Sequence, residues 1–181
     1  MKKVFLVLIL LVVAIFSFSA EIDTTFLSYA EKAADSIYSY SDKASILKLI
    51  AVEYAKSGQT QKALLIFDKA VNVAGSIYDD HYKASALSEI ASELAKAGQF
   101  DKALTVAGFI SDDSYKAEAL SDIAKELAKT GQFDKAINLI NKKTDPYFTA
   151  YILISIHQGY IESNKKIDDN CKGLLEDIFE T

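Results

Sequence analysis

The sequence predicts an all-α protein built as a stack of antiparallel helix hairpins, and three observations carry that expectation. First, the stretch ELAKAGQFDKAL at 93–104 returns as ELAKTGQFDKAI at 126–137, with ten of twelve positions identical at a spacing of 33 residues. Second, apolar residues within each copy recur at helical spacing: Leu87, Ile90, Ala91 and Leu94 fall at i, i+3, i+4 and i+7. Third, a glycine divides the copies at one register, as Gly58, Gly98 and Gly131. Glycine takes a positive φ without steric cost, so it commonly closes a helix. A period of this size marks stacked helical units.

The elements follow in order. Residues 23–38 read as the second helix of a unit whose first helix is missing, because SIY at 36–38 recurs at 76–78. The first complete unit, 42–78, contains DKASILKLIAVEYAKSGQTQKAL. It aligns with YKASALSEIASELAKAGQFDKAL in the unit at 81–111 and with YKAEALSDIAKELAKTGQFDKAI in the unit at 114–143. The first and second copies stand 40 residues apart, seven more than the later spacing. Seven residues are close to two helical turns, so a second helix can lengthen while its apolar face keeps direction. Shorter second helices are expected at 100–110 and 133–142. Ala44, Ala84, Ala117 and Ala150 mark one register, and FTAYILISIHQGYIESNKK (148–166) opens a fourth, weaker copy. There Asn164 holds the glycine's place, so the hairpin is expected to persist. A capping helix near 168–179 would close this final unit, 146–180. Asp79, Asp112 and Asp145 sit where N-caps belong, and Pro146 occupies the favoured first-turn position.

These residues resemble the tetratricopeptide repeat family, over roughly 23–166. In the first unit Leu47, Ile50, Ala51, Tyr54, Gly58, Ala63, Phe67 and Ala70 follow the family pattern. The second unit matches with Leu87, Ile90, Ala91, Leu94, Gly98 and Ala103, and the third with Leu120, Ile123, Ala124, Leu127, Gly131 and Ala136. Leu stands where that pattern begins with Trp. The resemblance implies a right-handed α-solenoid whose first helices line a concave groove. The groove residues would then be Lys48, Val52 and Lys56 in the first unit, and Ser88, Ser92 and Lys96 in the second. Ser121, Lys125 and Lys129 would follow in the third, and Tyr151, Ile154, Gln158 and Ile161 in the fourth. Small Ser and Ala side chains would leave room for a guest, and the lysines would suit a protein or peptide segment carrying carboxylates.

The N-terminus is read separately. Lys2 and Lys3 precede thirteen apolar residues, Val4–Phe16, and then Ser17-Phe18-Ser19-Ala20. A charged start, an apolar core of this length and small residues at the end describe a cleaved signal peptide over 1–20, hence a periplasmic or secreted protein. The alternative is a single N-terminal membrane anchor, and a membrane partner enters only in that case. Cleavage removes two lysines and no acid, leaving 18 Lys against 25 Asp and Glu, a net charge of −7. An acidic chain without Arg argues against nucleic acid as a partner.

Nothing in the sequence assembles catalysis. Cys171 is the one cysteine, so no disulfide can form within the chain. His81 stands at a helix start beside two acids. His157 falls, by the 33-residue register, on the buried side. Neither has a nucleophile or carboxylate at a recognised spacing. The Asp79/Asp80, Asp112/Asp113 and Asp168/Asp169 pairs lack the alternating ligands and closing Glu of a calcium loop. No catalytic, metal-binding or cofactor-binding residue is expected. The sequence therefore points to an exported, non-enzymatic scaffold that binds a peptide or protein segment in the concave groove. The alternative is a structural or oligomeric cell-envelope component that assembles through its ends and long second helices. If the signal is cleaved, intact-mass measurement of the native protein is expected to find a chain beginning at Ala20 or Glu21, and a full-length chain in the membrane fraction would contradict it.

Overall fold

The computed structural model describes residues 24–140 and 144–179. The expected signal at 1–20 therefore lies outside the described residues, as do residue 23 of the leading half unit, 141–143 of the third unit and residue 180. Among the described residues the chain is helix and turn, with no strand. Nine helices follow one another there: α1 (Thr25–Asp35), α2 (Tyr40–Lys56), α3 (Thr60–Gly75), α4 (Asp80–Lys96), α5 (Phe100–Gly108), α6 (Asp113–Lys129), α7 (Phe133–Ile137), α8 (Pro146–Ser163) and α9 (Asp169–Phe179).

Local chemistry explains where these helices begin and end. The Asp79 carboxylate accepts from the backbone N–H groups of His81 and Tyr82, and Asp112 accepts from those of Ser114 and Tyr115. Asp145 caps α8 through Tyr147 N–H, and Ser39 caps α2 through Asp42 N–H. Each cap satisfies donors that the helix itself cannot, and is worth about 1 kcal/mol. At the other ends Gly58, Gly98 and Gly131 take φ of +79°, +74° and +79°. That conformation lets Gln59, Gln99 and Gln132 N–H donate back to the Tyr54, Leu94 and Leu127 carbonyls at 2.9, 2.8 and 2.9 Å. Asn164 closes α8 in the same left-handed region, at φ 54°.

The irregular spacing resides in the second helices. α3 has 16 residues and α5 has 9, a difference of seven that matches the longer first spacing. α7 is shorter than the expected 133–142: its regular helix ends at Ile137, and only Asn138 and Leu139 continue as a turn.

Packing follows the repeat. α2 lies on α3, α4 on α5 and α6 on α7, while the first helices α2, α4, α6 and α8 also touch in that order. Ala51, Ala91 and Ala124 are fully enclosed at these junctions, at 0 % exposure. α6 and α8 approach each other closely at Gly159. A Cβ at Gly159 would lie 2.2 Å from the Lys125 carbonyl oxygen and 2.8 Å from Ala128 Cβ, so only glycine fits there.

The two ends of the chain depart from this pattern. α1 lies on α2 as α3 lies on α4. The buried Tyr54 hydroxyl donates to Glu31 of α1 at 2.7 Å, and Lys62 joins the same carboxylate at 3.1 Å. Partial burial pushes Glu31 up, but the hydrogen bonds from Tyr54 and Lys62 outweigh it and hold the carboxyl below its ordinary value. Burial first, and Glu31 second, push the Tyr54 hydroxyl up to about 12.

At the far end the expected fourth hairpin does not form: α9 packs against α7 instead of returning onto α8. His157, read from the sequence as buried, is therefore exposed, as is Ala150 of the shared alanine register. Their counterparts Ala117 and Ala124, 33 residues earlier, are buried because α7 covers that side of α6.

Gly159→Ala is expected to lower the urea midpoint. The gain in helix propensity, about 1 kcal/mol, is outweighed by overpacking against backbone, about 1–3 kcal/mol or more. Gly75→Ala, where an added Cβ meets nothing within 4 Å, should leave the midpoint unchanged or higher.

Candidate functional site

The repeat register fixes what each first helix shows to its neighbours. Along α4 the positions Ser88, Ser92 and Ala95 are buried, and along α6 Ser121 and Ala128 are buried with Lys125 half covered. These are the positions at which each first helix meets the following one. Ser92 Oγ donates to Asp122 of α6 at 2.6 Å, and Lys125 reaches Glu162 of α8 at 3.5 Å. The sequence reading takes Ser88, Ser92 and Ser121 as part of an open groove wall. They are instead closed off by the next helix, because α4, α6 and α8 stack on this side.

The lysines of the expected ladder divide in the same way. Lys48 is half-buried and bonded to Glu89 of α4. Lys56 and Lys96 stay exposed and pair with Glu53 and Glu93, three residues back, both at 2.8 Å. Lys129 lies 3.1 Å from Glu126 and 3.3 Å from Glu162. The hydrogen bond to Glu93 outweighs partial burial and holds the Lys96 ammonium above its ordinary value, with Asp122 and Glu126 adding to the effect. Glu126 does the same for Lys129, joined by Glu162. The ladder is thus a set of ion pairs. The Glu-x-x-Lys spacing in EYAK and ELAK makes the local pairs readable from sequence. The cross-helix partners Glu89 and Glu162 carry no such signal.

α2 and α4 meet along less of their length than α4 and α6, or α6 and α8. A cleft of about 330 Å³ opens on this seam, bounded by Val52, Ala55 and Lys56 of α2, Thr60, Ala63, Leu64 and Phe67 of α3, and Glu93 and Lys96 of α4. Its floor and flank are apolar, and two lysines stand at its edge. A second hollow of about 270 Å³ continues along the seam between Ser45 and Lys48 on one side and Tyr82, Ser85 and Glu89 on the other. Of the sequence-read residues the first cleft brings together Val52, Lys56 and Lys96. The α3 wall, Leu64 and Phe67, was not among the residues expected to line a groove.

Tyr151, Ile154, Gln158 and Ile161 are exposed on α8, away from the cleft, with no helix over them among the described residues. His81 is exposed and its Nε2 lies 3.1 Å from the Tyr115 hydroxyl, a surface contact between α4 and α6. Cys171 is buried, and burial followed by Asp168 pushes its thiol up. Among the described residues no three His, Cys, Asp or Glu side chains gather in a way that could hold a metal ion. Within the same residues no helix is long and apolar enough to cross a membrane.

Fold and surface together define a class: an all-α protein of paired helices with a cleft between its first two pairs. No protein-family model matches the chain, and no curated protein or solved structure matches it either.

Two of the buried serines, Ser121 and Ser92, should respond oppositely to alanine. Ser121 Oγ is buried without a hydrogen-bond partner among the described residues. Removing it is expected to raise stability by about 1 kcal/mol. Ser92→Ala deletes the bond to Asp122 and is expected to cost about 1–3 kcal/mol. Paired urea titrations check both signs.

Proposed function

We propose that this chain is an exported, non-enzymatic scaffold of the tetratricopeptide-like kind, a right-handed solenoid of antiparallel hairpins that binds a peptide or protein segment. No cofactor is part of this reading. The observation that carries it is the cleft between α2, α3 and α4, where Val52, Leu64 and Phe67 offer an apolar floor and flank below Lys56 and Lys96. A binding site of this form takes an apolar side chain into the hollow while a neighbouring carboxylate meets the lysines. The fitting partner is an extended or helical segment with an apolar residue beside an acidic one. Export, through cleavage of residues 1–20, supplies the compartment in this reading.

A second reading is favoured by a different observation. Large apolar side chains stand exposed at both ends of the helix series, which supports an oligomeric envelope component assembling through those ends.

Charge reversal tests the first reading. Lys56→Glu with Lys96→Glu should leave folding nearly intact, because exposed ion pairs contribute about 0–1 kcal/mol. A photo-crosslinker at Val52 is expected to capture a partner in the source cell, and the double substitution should abolish that capture. Equal capture with and without the substitutions, by a chain of unchanged circular dichroism, contradicts the cleft as the site.

A further inference from the structure

Among the described residues, two unmatched halves of a helix pair stand at opposite ends of the helix series. By the 40-residue spacing α1 is a counterpart of α3, with Leu27, Ala30, Ala34 and Ile37 matching Phe67, Ala70, Ala74 and Ile77. α3 lies against first helices on both sides, α2 and α4, whereas among the described residues α1 has only α2. The consequence is visible at one residue: Phe26 is 86 % exposed, and its counterpart Ile66 is 1 % exposed. Among the described residues α1 is a second helix without a first.

α8 is the complement, a first helix without a second, since α9 lies on α7. Ile154 and Ile161 of α8 are 56 % and 63 % exposed, at the register where α6 buries Ser121 and Ala128 under the next first helix. The matching acceptor face is open at the other end. Ile46 and Leu49 of α2 are 37 % and 52 % exposed, while their counterparts on α8, Ile152 and Ser155, are buried beneath α6. At the registers of Ile154 and Ile161, α4 and α6 carry Ser88, Ala95, Ser121 and Ala128, all buried. The two open faces carry Ile and Leu.

We infer that copies of this chain associate head to tail, with α8 of one copy seated against α1 and α2 of the next, so that a split helix pair is completed between molecules. The inference deepens the assembly reading above and rests on it. By the repeat register, Glu162 of one copy falls opposite Lys56 of the next, as Lys129 stands opposite Glu162 within the chain at 3.3 Å. The signs are exchanged and remain opposite, with Glu53 already paired to Lys56 on that face. Because the two faces differ, the contact is heterologous and propagates into an open row or a ring.

Mixing end-blocked variants tests this. Light scattering of the purified full chain should show a mass that rises with concentration. Leu49→Asp and Ile154→Asp each block one face at an exposed position and should weaken association by about tenfold or more. Each alone is then monomeric, with circular dichroism unchanged. Their equimolar mixture should return a one-to-one dimer that grows no further, since it retains a single intact junction. Glu53→Cys mixed with Ile161→Cys, the counterparts of Gly159 and Ala128, should give a disulfide-linked dimer. A wild-type chain monomeric at every concentration overturns both the inference and the assembly reading. A wild-type oligomer unaffected by either variant, or variants whose mixture forms no dimer, overturns the head-to-tail junction and leaves assembly by another surface standing.

Discussion

At Gly159 the backbone of α8 runs so close to α6 that a Cβ would lie 2.2 Å from the Lys125 carbonyl oxygen, and the C-terminal half of the molecule is arranged around that approach. Small side chains make the same kind of contact possible elsewhere, with Ala51, Ala91 and Ala124 at 0 % exposure. Dense packing leaves no slack in such a junction, so the volume at one position sets how far apart two helices stand. Where those volumes are small, as between α6 and α8, the helices close up and bury Ser121. Where α2 presents Lys48 and Val52 to α4, they remain apart and a cleft survives.

Charge is distributed to the same plan. The chain is acidic overall, yet Lys48, Lys56, Lys96 and Lys129 are each matched by a carboxylate, three residues back or on the following helix. Exposed pairs of this kind contribute little to stability. They do set the field at the cleft: Lys56 and Lys96 stand at its edge, but the paired Glu53 and Glu93 weaken their pull on an incoming anion. A guest that binds there must replace a local pair with a better one, which favours carboxylates delivered beside an apolar anchor over free anions.

The ends of the chain extend the argument from small residues. Where α4, α6 and α8 stack, Ser88, Ser92, Ala95, Ser121, Ala128 and Gly159 are all buried. At the open faces Phe26, Leu49, Ile154 and Ile161 have no helix over them among the described residues and remain in water. Solvated apolar side chains at positions that elsewhere are buried are costly unless something covers them.

Much of the fold was legible in the residues alone, because it follows from rules acting within a few residues of one another. Asp79, Asp112 and Asp145 cap their helices, and Gly58, Gly98 and Gly131 turn them, as their types and places require. The apolar stripes at three- and four-residue spacing become the core, and seven extra residues become a longer α3. What the sequence could not decide was which flank of each first helix meets its neighbour, and therefore that Ser88, Ser92 and Ser121 are enclosed while Tyr151, Ile154 and Ile161 are not. It could not show that α9 leaves α8 for α7 and exposes His157. Those outcomes depend on the rotation and separation of whole helices, set by the volumes of side chains from two elements at once. No local pattern holds that information; only the tertiary packing does.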